Sequence, residues 1–528
     1  MPDWVPPDRV ISFEGPSAAS PRFVGPPVLR WRDVPAAGRF EVAVADRDRV
    51  VWTATTAETR IDLAPAWAHL PMGLVDVLIR GFDGDREVAV RGHRRFWRVP
   101  GFDGVRPEPL DWAAGIHRAV GYLLGDARDD VHDYERGLPR STWSAFEDSV
   151  TGLRAQLGFP ALHHPSFVHA FLGYAERHPG HPHAEEARRQ AVQYGQWMLD
   201  HQLPDDWRCG GLTPSTVQDG AYGGWIEGES ITLFRAARVG EAMLRLADHT
   251  GDERYLARAV RIADVLVDLQ EPDGSWPFRV DPRTGEPTVG YTSAVITPIR
   301  LLALLGRLDD PRVMDHARPT WSAAKDRAET WLMAGPVADN RWEGMYEDIP
   351  GVDPWQNLEN WDTNETIRYL LSDQCDRPDR IERAADLNAF VEDQFVVWGP
   401  EDSPVLARCP TPMVLEQYRC YWPMEVHTGH WLVSLLALHR ATGEHHYLAK
   451  ATAAANAIVT GQDWRGSLST WGHDTRFGTR LLTMEWPGCN AVAVSALLAW
   501  TAYHDALAAT PATPDAAVAA GALVTWGP

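Results

Sequence analysis

The chain has 528 residues, of which 45% are hydrophobic, so it is long enough for more than one domain and a large core. Its net charge of −22 argues against nucleic acid or an anionic membrane as the main partner, because both are bound by basic surfaces. The sequence contains no run of 18 uncharged apolar residues, so no membrane span is expected.

The five cysteines are scattered and form no C-x-x-C pair, which argues against a disulfide framework and against a zinc site. The start of the chain, MPDWVPPDRVIS, has neither the basic nor the apolar region of a signal peptide. Together these features predict a reducing, cytoplasmic location.

The N-terminal part of the chain divides into two segments. Residues 1–27 are rich in Pro and are predicted to be irregular. In residues 28–100 apolar residues alternate with polar ones, at Phe40, Val42 and Val44 and again near Val77, which predicts a small antiparallel β domain. The run PVLRWRDVPAAGRFEVAVA, followed later by LVDVLIRGFDGD, resembles a fibronectin-type-III-like sandwich.

Residues 107–508 show helical periodicity, and residues 509–528 are predicted to be a tail. The predicted helices are 111–124, 140–157, 165–178, 183–202, 229–249, 253–270, 290–306, 310–334, 363–372, 379–395, 427–441, 444–461 and 488–508. Long connections rich in Gly, Pro and Trp alternate with short ones, as in a barrel whose site lies at one end.

One helix-and-loop phrase occurs twice in this part of the chain. Residues 250–270 read TGDERYLARAVRIADVLVDLQ, and residues 442–462 read TGEHHYLAKATAAANAIVTGQ. A Trp-containing loop follows each final Gln, and a fainter third copy ends at Gln202. Such repetition predicts stacked helical hairpins, since one hairpin cannot bury both of its faces alone. The predicted helices would form six such hairpins in succession, a number that favours a closed toroid over an open solenoid.

Paired helices, DGSW-like loops and an appended β domain resemble the (α/α)6-barrel carbohydrate-active enzymes, which include unsaturated glucuronyl hydrolases and polysaccharide lyases. The resemblance implies an (α/α)6 barrel after residue 107 that acts on a sugar. The chain lacks the W-x-R-G-x-G-W stretch of the unsaturated-glycoside hydrolases and the N-N-H stretch of the alginate-type lyases, so no specific family is assigned.

The loops before the inner helices are the expected place for the site. Many of the 24 Trp lie in these loops, where flat apolar rings suit sugar C–H faces and acidic side chains suit sugar hydroxyls. The candidate catalytic residues are Asp219, Glu227, Glu229, Tyr291, Asp362, Glu425 and His427. The candidate substrate-binding residues are Tyr222, Trp225, Trp276, Trp355, Trp361, Asn364, Arg419, Tyr421, Trp422, His430, Trp486 and Asn490.

Simpler roles compete with these assignments. Asp362 and Glu229 suit the first turn of a helix, and the Asp-Gly pair before Trp276 suits a turn. Glu425, His427 and His430 could bind a metal ion, but no further ligand is close in sequence, so neither a metal nor a cofactor is predicted.

Three functions fit this inventory. Hydrolysis of a glycoside needs two carboxyl groups, for which Asp362 as the acid and Asp219 as the base or nucleophile are favoured. Elimination from a uronic acid needs a base such as Tyr291, Tyr421 or His427. A non-catalytic glycan-binding protein is the third. Acidic groups outnumber basic ones in these loops and would repel a polyuronide, so hydrolysis is favoured, with an oligosaccharide or glycoside as the substrate.

Overall fold

The structure of the protein is a computed structural model. It describes residues 9–47, 49–89, 91–126, 145–147, 154–218, 221–224, 228–308, 310, 317–343, 345, 355–399, 409–418, 422–474, 480–484 and 486–509.

The N-terminal part of the chain is a β-sandwich. Its elements are β1 (Phe13–Glu14), β2 (Arg22–Phe23), β3 (Val28–Trp31), β4 (Arg39–Asp46), β5 (Arg49–Thr56), β6 (Arg60–Asp62), α1 (Ala64–Trp67), β7 (Gly73–Asp83), β8 (Arg86–Glu87) and β9 (Gly92–Arg98). One sheet has the order β1-β3-β6 and the other β2-β9-β7-β4-β5, with β8 paired to β7. Alternate residues of β4 and β7 are buried between the sheets, which confirms the predicted sandwich.

One detail of this domain differs from the prediction. Strands β1 and β2 lie within residues 1–27, where an irregular segment was predicted, because strands of two residues are too short to show alternation. The fibronectin-type-III-like assignment stays a prediction.

The rest of the described chain is mainly helical. The helices are α2 (Trp112–Gly121), extended by a π-helical turn at Tyr122–Asp126, α3 (Pro160–Arg177), α4 (Ala184–Asp200), α5 (Leu233–Thr250), α6 (Glu253–Asp268), α7 (Ile296–Arg307), α8 (Ala317–Ala334), α9 (Pro336–Asp339), α10 (Trp361–Leu370), α11 (Arg380–Gln394), α12 (Glu425–Thr442), α13 (His445–Thr460) and α14 (Pro487–Ala509).

The helix predicted over residues 140–157 is wrong for the residues that the structure describes there. These form β10 (Ala145–Glu147) and β11 (Arg154–Gly158), which pair with each other. Strand β11 also pairs with β12 (Val217–Gln218), so pairing between distant segments overrides the local helical pattern.

The helices close into a ring. In the described part of the chain, α3, α5, α7, α10, α12 and α14 each pack against the next, and α14 packs back against α3. An outer helix packs on each of them, in the order α4, α6, α8, α11, α13 and α2. The protein is therefore an (α/α)6 barrel preceded by a β-sandwich, as predicted.

The last inner helix, α14, has an unusually apolar composition. Among the described residues, α14 is the one helix that is long and apolar enough to cross a membrane. Half of its apolar stretch is buried, and it lies between α12 and α3. Its position on the inner ring accounts for its composition, because such a helix has neighbours on several sides.

The doubled sequence phrase corresponds to two equivalent hairpins, α5–α6 and α12–α13. The inner helix of each ends at a glycine with left-handed backbone, Gly251 with φ 69° and Gly443 with φ 71°. Glycine adopts this conformation without the steric cost of a Cβ atom, so it ends the helix and starts the next.

The Gln residues that close the two copies make the same contacts. The side-chain amide of Gln270 donates to the Gly274 carbonyl at 3.0 Å and to the Ala324 carbonyl of α8 at 2.8 Å. That of Gln462 donates to the Gly466 carbonyl at 2.9 Å and to the Gly115 carbonyl of α2 at 2.9 Å. Each Gln thus joins its own hairpin to the next outer helix.

Short strands lie where the chain passes from an outer helix to the next inner one. They are β12, β13 (Ala221–Tyr222), β14 (Ile231–Thr232), β15 (Arg279–Val280), β16 (Val396–Val397), β17 (Met413–Leu415), β18 (Pro423–Met424), β19 (Thr470–Asp474) and β20 (Arg480–Met484). These connections are found at the end of the barrel where the inner helices begin.

The sandwich is attached to the barrel at α11. The Asp393 carboxylate accepts hydrogen bonds from the backbone N–H groups of Val24 at 2.9 Å and Gly25 at 2.8 Å. The Tyr418 hydroxyl donates to the Pro16 carbonyl at 2.8 Å. The N-terminal segment therefore also supports the β17–β18 connection that leads into α12.

Candidate active site

A cavity of about 410 Å³ follows the axis of the barrel, and residues of all six described inner helices line it. It reaches the surface where the inner helices end, since the lining side chains of Glu176 and Arg177 are 47% and 36% exposed. Toward the other end the lining residues Ser166, Thr297 and Trp361 are buried. A pocket of this size and depth suits a small ligand.

The cavity is strongly charged. Among the residues that the structure describes, five arginines and three glutamates line it, namely Arg177, Arg238, Arg245, Arg300, Arg368, Glu176, Glu241 and Glu365. His169 and His430 also line it. Charged groups converging on one enclosed space are typical of a functional site, although ion pairs that stabilise the fold also produce such clusters.

Arg300 connects two of the glutamates. Its guanidinium lies 3.3 Å from Glu241 through Nε, and it also forms an ion pair with Glu365 through Nη1. Burial raises the pKa of Glu241, and the nearby Arg300 opposes that rise. Burial lowers the pKa of Arg300 to about 10, so this guanidinium keeps its charge at neutral pH.

Glu365 is held by three donors. Besides Arg300, its Oε1 accepts from Arg368 Nη1 at 2.5 Å and lies 2.9 Å from His430 Nδ1. Two guanidinium groups stabilise the anionic form of a carboxylate. Glu241 and Glu365 therefore face one cavity in unlike surroundings, which is the arrangement that separates an acid from an anion.

The protonation of His430 follows from its neighbours. Its Nε2 accepts a hydrogen bond from Trp361 Nε1 at 2.9 Å, so the proton of a neutral ring lies on Nδ1 and is donated to Glu365. Burial and the nearby guanidinium groups of Arg368, Arg238 and Arg300 hold the pKa of His430 well below its ordinary value. His430 is therefore neutral at physiological pH.

An aromatic cluster closes the buried end of the cavity. Trp361 packs with Phe234 and Phe278, and Tyr291 packs against this cluster. The Arg238 guanidinium lies 5.6 Å from the centre of the Trp361 ring and donates to the Ser166 hydroxyl at 2.9 Å. Trp361 thus combines an apolar face with a hydrogen-bonded indole at the inner wall of the cavity.

Of the residues predicted from the sequence, Trp361 and His430 line this cavity. Asp362 is fully buried at the start of α10, where its backbone N–H donates to the Glu359 carboxylate at 3.1 Å. Burial raises the pKa of Asp362 well above its ordinary value, and interaction with Glu359 partly offsets the rise. Two buried carboxyl groups therefore lie together here, outside the lining of the cavity.

Polar side chains around this carboxyl pair bind α10 to α12. His427 Nδ1 lies 3.2 Å from the side-chain oxygen of Asn360, and Ser434 donates to the side-chain oxygen of Asn364 at 2.9 Å. Burial holds the pKa of His427 well below its ordinary value. In the structure Asn364 connects the two helices.

Glu425 and Asn490 form a separate buried group at the starts of α12 and α14. The Glu425 carboxyl accepts from Thr470 at 2.6 Å and from the Asn490 amide at 3.0 Å. Burial raises the pKa of Glu425 to about 8. Asn490 also donates to the Leu468 carbonyl at 2.7 Å, which fixes the connection before α14.

Trp276 is fully buried and donates to the Leu266 carbonyl at 2.7 Å, within its own hairpin. Glu229 forms an ion pair with Arg283 at 2.6 Å, and the Tyr222 hydroxyl donates to the Glu229 carbonyl. None of these three predicted residues lines the axial cavity among the residues that the structure describes.

The other predicted aromatic residues lie near the loop end. Trp355 has a left-handed backbone, with φ 71°, and the Arg341 guanidinium lies 5.8 Å from its ring. Trp422 and Trp486 are half-buried, with ring centres 6.1 Å apart. Five predicted residues fall outside the described part of the chain, so their placement stays a prediction: Asp219, Trp225, Glu227, Arg419 and Tyr421.

None of the five arginines and three glutamates of the cavity is among the residues predicted from the sequence, because the candidates were taken from the loops. Their signal was present in the helices. Arg300 interrupts the apolar run ITPIRLLALLGR of α7, and Arg238, Glu241 and Arg245 recur on one face of α5. A charge within the apolar stripe of an inner helix points to the barrel axis.

No group of three or more His, Cys, Asp or Glu suited to hold a metal ion is found among the described residues. The axial cavity offers three glutamates, but each of them already forms an ion pair with a guanidinium group. That no metal or cofactor takes part stays a prediction.

No family model matches the sequence, and no curated protein is similar to it. Several solved structures are similar in shape. A family 76 glycoside hydrolase from a bovine Bacteroides thetaiotaomicron strain has 11% identity and a TM-score of 0.48, over 91% of this chain and 98% of that one.

Two further structures show the same level of similarity. Cellobiose 2-epimerase from Spirochaeta thermophila has 13% identity and a TM-score of 0.47, over 74% of this chain and 98% of that one. An unsaturated glucuronyl hydrolase specific for heparin has 12% identity and a TM-score of 0.45, over 73% and 96%. At such values the fold assignment stands on the packing of the six hairpins, and the activity has to be argued from the site.

Proposed function

We propose that this protein is a carbohydrate-active enzyme, and more specifically a glycoside hydrolase, whose substrate enters the axial cavity. The observation that carries the proposal is the pair Glu241 and Glu365, two buried carboxyl groups that line one cavity in unlike surroundings. Trp361 lies beside them in the lining of the cavity.

The two glutamates divide the roles that hydrolysis requires. Glu241, whose pKa burial raises, is the acid and donates its proton to the glycosidic oxygen as the bond to the anomeric carbon breaks. Glu365, held by two guanidinium groups and His430, is the anion. It removes a proton from the water that attacks the anomeric carbon, or stabilises the positive charge that develops there.

The carboxyl pair Asp362 and Glu359 is the competing choice. It has the raised pKa expected of an acid, but it lies in a fully buried cluster and outside the cavity lining. Asp219, the partner first predicted for Asp362, is outside the described residues. The proposal therefore places the chemistry at Glu241 and Glu365.

The test is a screen of the protein against a panel of neutral and uronic-acid glycosides, followed by variants on the active substrate. Glu241→Gln and Glu365→Gln should each lower kcat at least about 100-fold, the usual contribution of a general acid or base. Glu185→Gln, on the exposed face of α4, is the control and should leave kcat unchanged. Melting temperatures of all variants separate loss of catalysis from loss of folding.

The outcome for Asp362→Asn decides between the two carboxyl pairs. If it abolishes turnover while Glu241→Gln and Glu365→Gln remain active, the chemistry lies at the start of α10 and the cavity assignment is wrong. If the panel yields no product although sugars bind, the non-catalytic function replaces the enzymatic one.

Elimination from a uronic acid is the second candidate, because arginines outnumber glutamates among the described residues of the cavity. Guanidinium groups would neutralise the substrate carboxylate, and His430, which lines the cavity, would act as the base. His430 Nε2 accepts from Trp361, so it could act as a base only after this bond opens. Ultraviolet absorbance of a new double bond in the product would identify this reaction.

A further inference from the structure

The charge of the cavity is opposite in sign to that of the whole protein. The chain carries a net charge of −22, yet five guanidinium groups and three carboxylates line the cavity in the part of the chain that is described. With all three glutamates counted as ionised, the cavity lining has a formal excess of two positive charges, and a protonated Glu241 raises that excess to three. Both histidines in this lining have pKa values well below neutral pH, so they add no charge.

Such an excess is costly in an enclosed space. Burial lowers the pKa values of Arg300 and Arg368 to about 10, yet both stay charged at neutral pH. Positive charges that are withdrawn from water repel each other unless an anion compensates them. Asp505 at the rim pairs with Arg177, but it lies outside the lining and far from the buried end that Trp361 closes.

Arg238 is the guanidinium best placed to meet a ligand at the buried end. It lies beside Trp361, with its guanidinium 5.6 Å from the ring centre, and donates to the Ser166 hydroxyl at 2.9 Å. Guanidinium groups bind carboxylates and phosphates through two parallel hydrogen bonds. A sugar bound at the buried end of the cavity would therefore present an anionic substituent to Arg238.

We infer that the axial cavity selects a sugar that carries an anionic group, a carboxylate or a phosphate, with Arg238 as the residue that recognises it. This inference rests on the proposed function, since it names the substrate class of the same cavity. It reverses the argument drawn from the loops, where acidic residues outnumber basic ones, because the walls of the cavity come from the inner helices.

The experiment measures binding of D-glucuronate, D-glucose 6-phosphate and D-glucose to the full-length protein by isothermal titration calorimetry. At least one of the two anionic sugars should bind at least about tenfold more tightly than glucose, the gain expected from one charge-assisted contact. Whichever anionic sugar binds more tightly identifies the group, carboxylate or phosphate. Equal affinity for all three sugars, or no binding of either anionic sugar, overturns the inference.

Variants then test the residue. Arg238→Gln should reduce the preference for the anionic sugar to less than about twofold, whereas Arg238→Lys should retain part of it because the charge is kept. Arg189→Gln, on the exposed face of α4, is the control and should leave the preference unchanged. An unchanged preference in Arg238→Gln, with an unchanged melting temperature, overturns the role of Arg238.

The two proposals fail in distinguishable ways. Turnover of neutral glycosides without any preference for anionic sugars refutes the inference and leaves the hydrolase function intact. Tight binding of an anionic sugar without turnover of any glycoside refutes the hydrolase function and leaves the charge selectivity of the cavity intact.

Discussion

Replacement of Gln270 or Gln462 by Ala should destabilise the barrel, and by a similar amount in both cases. Each side-chain amide donates to two backbone carbonyls, one in its own loop and one on the neighbouring outer helix, over distances of 2.8–3.0 Å. Each side-chain oxygen also accepts from an arginine of that neighbouring helix, Arg327 for Gln270 and Arg118 for Gln462.

The expected magnitude follows from these bonds. A hydrogen bond contributes about 1 kcal/mol net, so loss of the two amide bonds lowers the free energy of unfolding by about 2 kcal/mol. The arginine bonds add little, because they lie at the surface, where water replaces them. The two variants should agree within about 0.5 kcal/mol, since their contacts are equivalent.

Urea unfolding followed by tryptophan fluorescence provides the measurement. Gln193→Ala, on the exposed face of α4, is the control and should change the free energy of unfolding by less than about 0.5 kcal/mol. A loss below about 0.5 kcal/mol in either Gln variant would refute the reasoning. So would a difference of more than about 1.5 kcal/mol between them, because equivalent contacts could not produce it.

Two further predictions concern buried carboxyl groups. Asp393→Ala removes the acceptor of the Val24 and Gly25 N–H groups, so it should weaken attachment of the sandwich to the barrel by about 2 kcal/mol. Limited proteolysis between the two domains should then be faster. Asp393→Asn keeps an acceptor oxygen and should weaken the attachment less. Equal proteolysis of the parent and the Ala variant would contradict this. Burial raises the pKa of Glu425 from 4.5 to about 8, so between these pH values the folded state keeps a proton that the unfolded state releases. The free energy of unfolding of the parent protein therefore falls as the pH rises from 4.5 to 8. A glutamine side chain does not titrate, so the Glu425→Gln variant should gain stability relative to the parent over that range, by at most about 1.4 kcal/mol per pH unit. If the difference in melting temperature between variant and parent is the same at pH 5 and at pH 8, this prediction is wrong.

The hairpins could be predicted from the sequence because helix-forming residues, left-handed glycines and the closing Gln recur together. The phrase around Gly251 and the phrase around Gly443 specify the same local structure twice. The short strands could not be predicted in this way. Strand β14 has two residues, Ile231–Thr232, and is formed through pairing with β15, far along the chain. A period of two cannot be recognised over so few residues.

The position of the cavity also escaped prediction, for a different reason. Loops carry the site in many folds, so acidic and aromatic residues in loops were favoured as candidates. In a closed ring of helices the axis is walled by the helices themselves. Helix α7 shows the consequence, since Arg300 lies in an otherwise apolar stretch and pairs with Glu241 and Glu365 of the two neighbouring inner helices, α5 and α10.

Helix α10 shows how one short segment can serve two sites. Trp361, Glu365 and Arg368 are spaced by four and three residues, so they share the face that lines the cavity. Asn360 and Asn364, also four apart, share the face that bonds to α12. Asp362 lies off the cavity face and is buried beside Glu359. The helical period therefore separates residues that are adjacent in sequence, and the comparison of Glu365→Gln with Asp362→Asn tests which face of this helix carries the chemistry.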